Sequence, residues 1–114
     1  MNPLTVPTVT LAELPAGATV LDVREPHEWN AGHIDGAVHV PMNSVPATVV
    51  HQPDAIPTEG RLYVMCGMGG RSAQVTAWLV NHGVDAVNIA GGMHAWEDAG
   101  RPMVSETGER PRVV

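Results

Sequence analysis

The chain contains no lysine, and six arginines face twelve aspartate and glutamate residues, for a formal net charge of -6. This balance leaves no basic face for a nucleic-acid backbone or an anionic membrane, so we expect neither as a partner. Without lysine the chain also cannot supply the Gly-Lys-Ser/Thr ending of a phosphate-binding P-loop. Any anionic substrate would therefore have to be held by local backbone dipoles rather than by the overall charge.

Long apolar runs are also missing, since no window approaches the roughly 18 apolar residues of a membrane-spanning helix. Residues 1 to 7 lack the charged and apolar regions of a signal peptide, so the expected location is cytoplasmic. Cysteine occurs once, as Cys66, which excludes an internal disulfide. That cysteine is either a small core residue or a reactive thiol.

With 114 residues, 44% hydrophobic and 16% charged, the chain has the size and composition of one folded domain. We therefore predict a single domain over residues 1–114, with its core at about residues 5–103. The polar segment 104–114 is expected to be a loosely held tail.

Short β-rich runs alternate with helical patterns along the chain. The predicted strands are residues 19–23, 37–40, 61–65 and 86–90, and the predicted helices are residues 26–31, 71–82 and 91–99. Residues 51–60 are rich in proline and polar side chains and are expected to form a loop. Because the connections are too long for hairpins, this order predicts the α/β class: a mostly parallel central sheet with helices on both faces, in three layers.

Cys66 follows a predicted strand at the place where open parallel sheets bind ligands. Gly67, Gly69 and Gly70 surround Met68 in the next four positions, and glycines can adopt positive φ and turn successive N–H groups toward one point. The helix beginning near Arg71 adds the positive end of its dipole. These features favour a thiolate, with a pKa lowered from about 8.5 into a range of roughly 3.5 to 7.5.

Other interpretations of these residues are weaker. A free cysteine usually packs as a small hydrophobe, but three glycines in four positions cost conformational entropy that a structural turn would not need. A dinucleotide-binding fingerprint would need a third small residue where Ser72 stands and a longer βαβ context. The six histidines and one cysteine show no pair at the spacing of a zinc site, so we expect no metal and no cofactor.

Three segments, "LDVREPHEWNAGHIDGAVHVP", "CGMGGRS" and "NIAGGMHAW", resemble in sequence and order those of a single-domain rhodanese, a sulfurtransferase. This resemblance implies that Cys66 is the nucleophile, which takes a sulfane sulfur and becomes a persulfide. It also implies a loop that binds the donor and the persulfide, and the matching residues are Gly67, Met68, Gly69, Gly70, Arg71 and Ser72.

The resemblance assigns supporting roles to residues outside the loop. Asp22 matches an acid that braces the loop from the neighbouring strand, and Arg24 with Glu28 matches a structural ion pair. Trp29 either lines the entrance together with Met68 or packs in the core. Arg71 either orients the donor or points inward and pins the loop.

The implied reaction moves sulfur from a small donor such as thiosulfate to cyanide in vitro, or to a thiol, a thioredoxin-like protein or a biosynthetic partner in the cell. Related phosphatases and arsenate reductases have one more residue between cysteine and arginine, so the four residues between Cys66 and Arg71 favour sulfur over an oxyanion. The alternatives are a binding or regulatory module on the same fold, a persulfide carrier with little turnover, and small-oxyanion chemistry. The physiological donor stays open.

Overall fold

Parallel strands make up the central sheet of the computed structural model, which describes residues 6–114. The first five residues of the predicted domain, including the predicted start of the core at Thr5, lie outside the described residues. The strands are β1 (Thr8–Val9), β2 (Thr19–Asp22), β3 (Val38–His39), β4 (Leu62–Met65) and β5 (Ala86–Ile89), and their order in the sheet is β1-β5-β4-β2-β3.

The helices in the described part of the chain are α1 (Pro26–Ala31), α2 (Val45–His51), α3 (Gly70–Asn81) and α4 (Gly92–Asp98). Short 3-10 helices at Leu11–Glu13, Met42–Ser44 and Pro53–Ala55 complete the connections. Gly83 and Gly100 adopt positive φ just after α3 and α4, at the helix ends that the glycines predict.

Two apolar clusters cover the two faces of the sheet. Strand residues Leu21 and Val64 share one cluster with Leu79 of α3. The neighbouring strand residues Val20 and Tyr63 belong to the other cluster, which includes residues of α4. This alternation is the period-two pattern of strands buried on both faces, and it confirms the predicted three-layer α/β architecture.

The register of the sheet sets where the loops emerge. Asp22 at the end of β2 pairs with Met65 at the end of β4, and the N–H of Val23 donates to the carbonyl of Met65 over 2.9 Å. The residues that follow these two strands, Val23 and Cys66, therefore begin side by side at the carboxyl edge of the sheet.

One of the strands and one of the α-helices in the described residues were not predicted. Strand β1 has two residues, too few to show a periodic pattern. Helix α2 contains Pro46 and three β-branched residues after Val45, a composition that disfavours helix, yet Val45 is 1% exposed in the first cluster. Burial of this apolar side chain overrides the weak local propensity.

The prediction of a loosely held tail over residues 104–114 is wrong. Val104 forms an antiparallel bridge with His33, with N–H···O distances of 2.9 Å in both directions. Further along, the N–H of Arg112 donates to the carbonyl of Ala31 over 3.0 Å, and Val113 packs against the second apolar cluster. The segment is fixed to the end of α1 by backbone hydrogen bonds that side-chain polarity does not reveal.

Within residues 6–114, none of the helices combines the length and the apolar character needed to cross a bilayer.

Candidate active site

Cys66 lies directly after β4, beneath the loop that leads into α3, and its side chain is buried. The N–H of Gly69 donates to its Sγ over 3.0 Å, and the Ser72 Oγ lies 3.2 Å from the same sulfur. The loop therefore closes over the sulfur and places an N–H donor and a hydroxyl group within hydrogen-bond distance of it.

Hydrogen bonds lower the pKa of the Cys66 thiol by more than burial raises it. Burial raises the pKa of the Cys66 thiol, while the Ser72 hydroxyl and the backbone N–H groups of Ser72, Gly69 and Met68 lower it. The net pKa lies below the ordinary value for cysteine, in the direction that the glycine loop and helix N-terminus predict.

The three loop glycines have different structural roles. Gly69 has a φ of +110°, and a Cβ there would lie 3.3 Å from the backbone nitrogen of Gly91. At Gly67 a Cβ would lie 3.1 Å from the Arg71 Nη2. Gly70 has neither a positive φ nor any atom within 4 Å of a Cβ. Of the three, Gly69 alone needs the left-handed region.

The first turn of helix α4 hydrogen-bonds to the backbone at the start of the cysteine loop. The N–H groups of Met93 and His94 donate to the carbonyls of Cys66 and Gly67 over 2.8 and 3.0 Å. Gly92, with a φ of +56°, sits so close that a Cβ would lie 2.6 Å from the carbonyl carbon of Gly67. The backbone around Cys66 is therefore held in place by α4 as well as by its own turn.

Arg71 pins the loop to α1. Its Nη1 and Nη2 donate to the Glu28 Oε1 and Oε2 over 2.6 and 2.9 Å, a bidentate pair. This hydrogen-bonded arginine, opposed by burial, lowers the pKa of Glu28 to about 2. Of the two arrangements left open for Arg71, the structure has the inward one.

The predicted ion pair between Arg24 and Glu28 is wrong. The Arg24 guanidinium pairs with the Asp22 carboxylate over 2.8 Å, and both side chains are buried. Arg24 also donates to the backbone carbonyls of Glu28 and Gly32 over 3.3 and 2.8 Å. The Asp22–Arg24 pair thus supports the last turn of α1, and the Glu28 carboxylate is left free for Arg71.

Met68 and Trp29 occupy different surroundings. Met68 is 77% exposed at the tip of the loop. Trp29 is half-buried, and its ring stacks on the imidazoles of His33 and His39 with centroid distances of 3.6 and 4.6 Å. In the described part of the chain, neither apolar cluster includes Trp29.

Residues 8–99 match the Rhodanese-like domain family. The chain belongs to this family. A rhodanese relative, the thiosulfate sulfurtransferase GlpE of Stutzerimonas stutzeri, is 35% identical over 82 residues, which are 71% of this chain and 72% of that protein. The chloroplastic thiosulfate sulfurtransferase 16 of Arabidopsis thaliana is 37% identical over 106 residues, covering 83% and 88% of the two chains.

Solved structures agree with the rhodanese fold. A rhodanese-related protein from Thermoplasma volcanium is 29% identical, with a TM-score of 0.73 over 86% of this chain and 97% of that one. A rhodanese-like domain protein from Staphylococcus aureus is 29% identical, with a TM-score of 0.71 over 93% and 98%.

Asn88 belongs to the candidate site through its contact with Ser72, and the sequence analysis missed it. It lies in the middle of β5, is 6% exposed, and its Oδ1 accepts the hydroxyl of Ser72 over 2.5 Å. The signal was present in the sequence, since a buried polar side chain in the apolar run "AVNIA" requires a hydrogen-bond partner.

Counting protons connects Asn88 to the charge on Cys66. Ser72 has one hydroxyl proton, which can go to the Asn88 Oδ1 or to the Cys66 Sγ. With Oδ1 as acceptor, the Ser72 oxygen is left to accept the thiol proton. A thiolate instead takes the hydroxyl proton, and Asn88 can support this arrangement by turning its NH2 group toward Ser72.

This geometry predicts the effects of Ser72→Ala and Asn88→Asp. Ser72→Ala should raise the pKa of Cys66 by about one to two units, since a hydrogen bond to a charged group contributes about 1.5–3 kcal/mol. Asn88→Asp should raise it further, because a carboxylate holds the Ser72 proton and adds negative charge. The ultraviolet absorbance of the thiolate measures this pKa, since Cys66 is the only cysteine. The exposed α3 residue Gln74, changed to Ala, is the control, and an unchanged titration in Ser72→Ala would refute the assignment.

The Arg71–Glu28 pair predicts a stability that depends on pH. The pKa of Glu28 falls from 4.5 to about 2 on folding, so its contribution is complete above pH 4.5 and is lost as the pH falls toward 2. The Arg71 side chain is one-third exposed, so solvent partly screens the ion pair. We therefore expect Glu28→Gln to lower the free energy of unfolding by about 2 kcal/mol at neutral pH. Urea unfolding at several pH values measures this difference, which should shrink in acid. Exposed Glu59, changed to Gln, should have little effect at any pH.

Among residues 6–114, no three His, Cys, Asp or Glu side chains are grouped so that they could hold a metal ion.

Proposed function

We propose that this rhodanese is a sulfurtransferase that works through a persulfide on Cys66. The Cys66 thiolate attacks the outer sulfur of a donor such as thiosulfate, a new S–S bond forms, and the old one breaks with its electron pair leaving on sulfite. A thiophilic acceptor then attacks the outer sulfur of the persulfide and restores the thiolate. The observation that carries this proposal is the lowered pKa of a thiol held under hydrogen-bond donors.

The loop would supply the electrostatics of both steps. The N–H groups of Met68, Gly69 and Ser72 already stabilise negative charge at the sulfur, so they are placed for the charge that shifts onto the outer sulfur of a persulfide. No general base is required when the thiol is ionised beforehand. Arg71 would act by holding the loop on Glu28, and would meet the donor only if that ion pair opened.

Access to the sulfur requires the loop to move. Cys66 has 0% exposed surface, so a donor can reach it only after the segment over it opens. Met68 is 77% exposed, and a Cβ at Gly70 would meet no atom within 4 Å, so we place the opening at these two positions. Met68 would then shield the persulfide from water when the loop closes.

Names of the relatives support the same substrate class. GlpE and the Arabidopsis protein are named thiosulfate sulfurtransferases, which favours thiosulfate as a donor for this chain. We propose cyanide as the acceptor in vitro and a thiol or a partner protein as the acceptor in the cell. The four residues between Cys66 and Arg71 oppose a phosphatase or arsenate reductase.

A comparison of substrates tests the proposal. The protein is assayed for thiocyanate from thiosulfate and cyanide, for hydrolysis of an aryl phosphate, and for arsenate reduction with a thiol. We expect thiocyanate with repeated turnover and no activity in the other two assays. A single turnover alone would indicate a persulfide carrier, and hydrolysis or reduction without thiocyanate would overturn the proposal.

A further inference from the structure

The six arginines divide into two groups. Arg24, Arg61 and Arg71 each form an ion pair, with Asp22, Asp85 and Glu28 respectively. Arg101, Arg110 and Arg112 have no carboxylate within 4.0 Å among residues 6–114, and residues 1–5 contain no acidic side chain. In a chain with twice as many acidic as basic residues, three unpaired cations call for an explanation.

The unpaired arginines meet at one place. All three line a cavity of about 520 Å³, together with Glu97, Met103 and Pro111. Like charges gathered at one surface repel each other, and none of the three arginines forms an ion pair within residues 6–114. We call this cavity the arginine cleft.

Two sides of the arginine cleft are held in place by the fold. The guanidinium of Arg101 lies over the ring of Trp96, 5.1 Å from its centroid, and its Nη2 donates to the carbonyl of Leu11 over 3.2 Å. The backbone of Arg112 is anchored through its N–H to the carbonyl of Ala31. Holding the Arg101 guanidinium in advance reduces the entropy lost when a ligand binds.

The one carboxylate lining the cleft is partly committed to the backbone. The Glu97 Oε2 accepts the N–H of Val113 over 2.9 Å. With three guanidinium groups and one carboxylate, the residues lining the cleft carry a net positive charge.

We propose that the arginine cleft binds a small ligand that carries two or more phosphate or carboxylate groups. Guanidinium groups bind both kinds of oxyanion in a bidentate manner, and a cavity of this volume lies in the range, roughly 300–1,000 Å³, of small-molecule sites. The cleft is separate from the cysteine loop: α4 begins against Cys66, and Glu97, Gly100 and Arg101 lie at its far end. The proposal therefore stands independently of sulfur transfer.

Calorimetric titration with inorganic pyrophosphate and with citrate tests the proposal and distinguishes phosphate from carboxylate ligands. We expect one equivalent of at least one probe to bind, and Arg110→Ala and Arg112→Ala each to weaken binding about tenfold, as expected for loss of a hydrogen bond to a charged group. Arg61→Ala removes an equal charge from another surface and should weaken binding less than about twofold. Cys66→Ser should bind as the unaltered protein does.

Three results would overturn the proposal. They are no binding of either probe, an equal loss in Arg61→Ala and Arg110→Ala, and loss of binding in Cys66→Ser, which would place the anion at the cysteine loop. Thermal unfolding of each variant is measured alongside, and Arg110→Gln replaces any alanine variant of Arg110 that is unfolded.

Discussion

Replacing Cys66 with serine should abolish sulfur transfer while leaving the fold intact. Serine nearly matches the volume of cysteine, and its hydroxyl can keep the hydrogen bonds with Gly69 and Ser72. Its oxygen is not ionised near neutral pH and cannot carry a sulfane sulfur, so the loss of rate should be on the order of 10⁴-fold or more. Initial rates of thiocyanate formation measure this effect.

The control for Cys66→Ser is its own unfolding transition. A midpoint in urea close to that of the unaltered protein shows that the loss is chemical rather than structural. Thiocyanate formation at more than a few per cent of the normal rate would show that another group carries the reaction.

Gly92→Ala should damage both stability and activity, although residue 92 makes no side-chain contact. An added methyl group would meet the carbonyl carbon and oxygen of Gly67 at 2.6 Å, and this oxygen also accepts the hydrogen bond from the His94 N–H. The φ of +56° adds strain for any residue with a Cβ. We expect a loss of about 2–4 kcal/mol in the free energy of unfolding, and a further loss of rate because Cys66 is displaced.

Gly70→Ala is the matched control, since Gly70 is the first residue of α3 as Gly92 is the first residue of α4. A methyl group there meets no atom within 4 Å, and alanine favours a helix by up to about 1 kcal/mol over glycine. We expect this variant to be at least as stable as the unaltered protein. Equal stability and activity in the two variants would show that α4 does not position the loop.

Sequence spacing alone could not distinguish a glycine that the structure requires, Gly92, from one that it does not require, Gly70. The sequence predicts a glycine loop around Cys66 and a helix after it, and both are present. Which glycine is required depends on the approach of α4, which lies more than twenty residues further along the chain. The sequence alone therefore does not show that glycine is required at position 92, or that position 70 needs neither a positive φ nor the absence of a Cβ.

The ion pairs also include a contact between distant residues that sequence spacing does not predict. Arg24 and Glu28 are four residues apart, which makes them plausible partners in a sequence, but the bond to Arg71 spans 43 residues and depends on where α3 meets α1. Asp22 and Arg24 stand two apart on one face of the chain, and their pairing is compatible with the strand alternation that the sequence predicts. Strands β2, β4 and β5 were predictable because long-range packing and local pattern agree there.

The most direct test of the central claim is the intact mass of the protein after incubation with thiosulfate and removal of the excess. A persulfide on Cys66 predicts the added mass of one sulfur atom per chain, one equivalent of released sulfite, and return to the original mass on addition of cyanide. Because the chain has one cysteine, no other thiol can account for this adduct. An unchanged mass, or an added sulfur that persists in Cys66→Ser, would contradict the account.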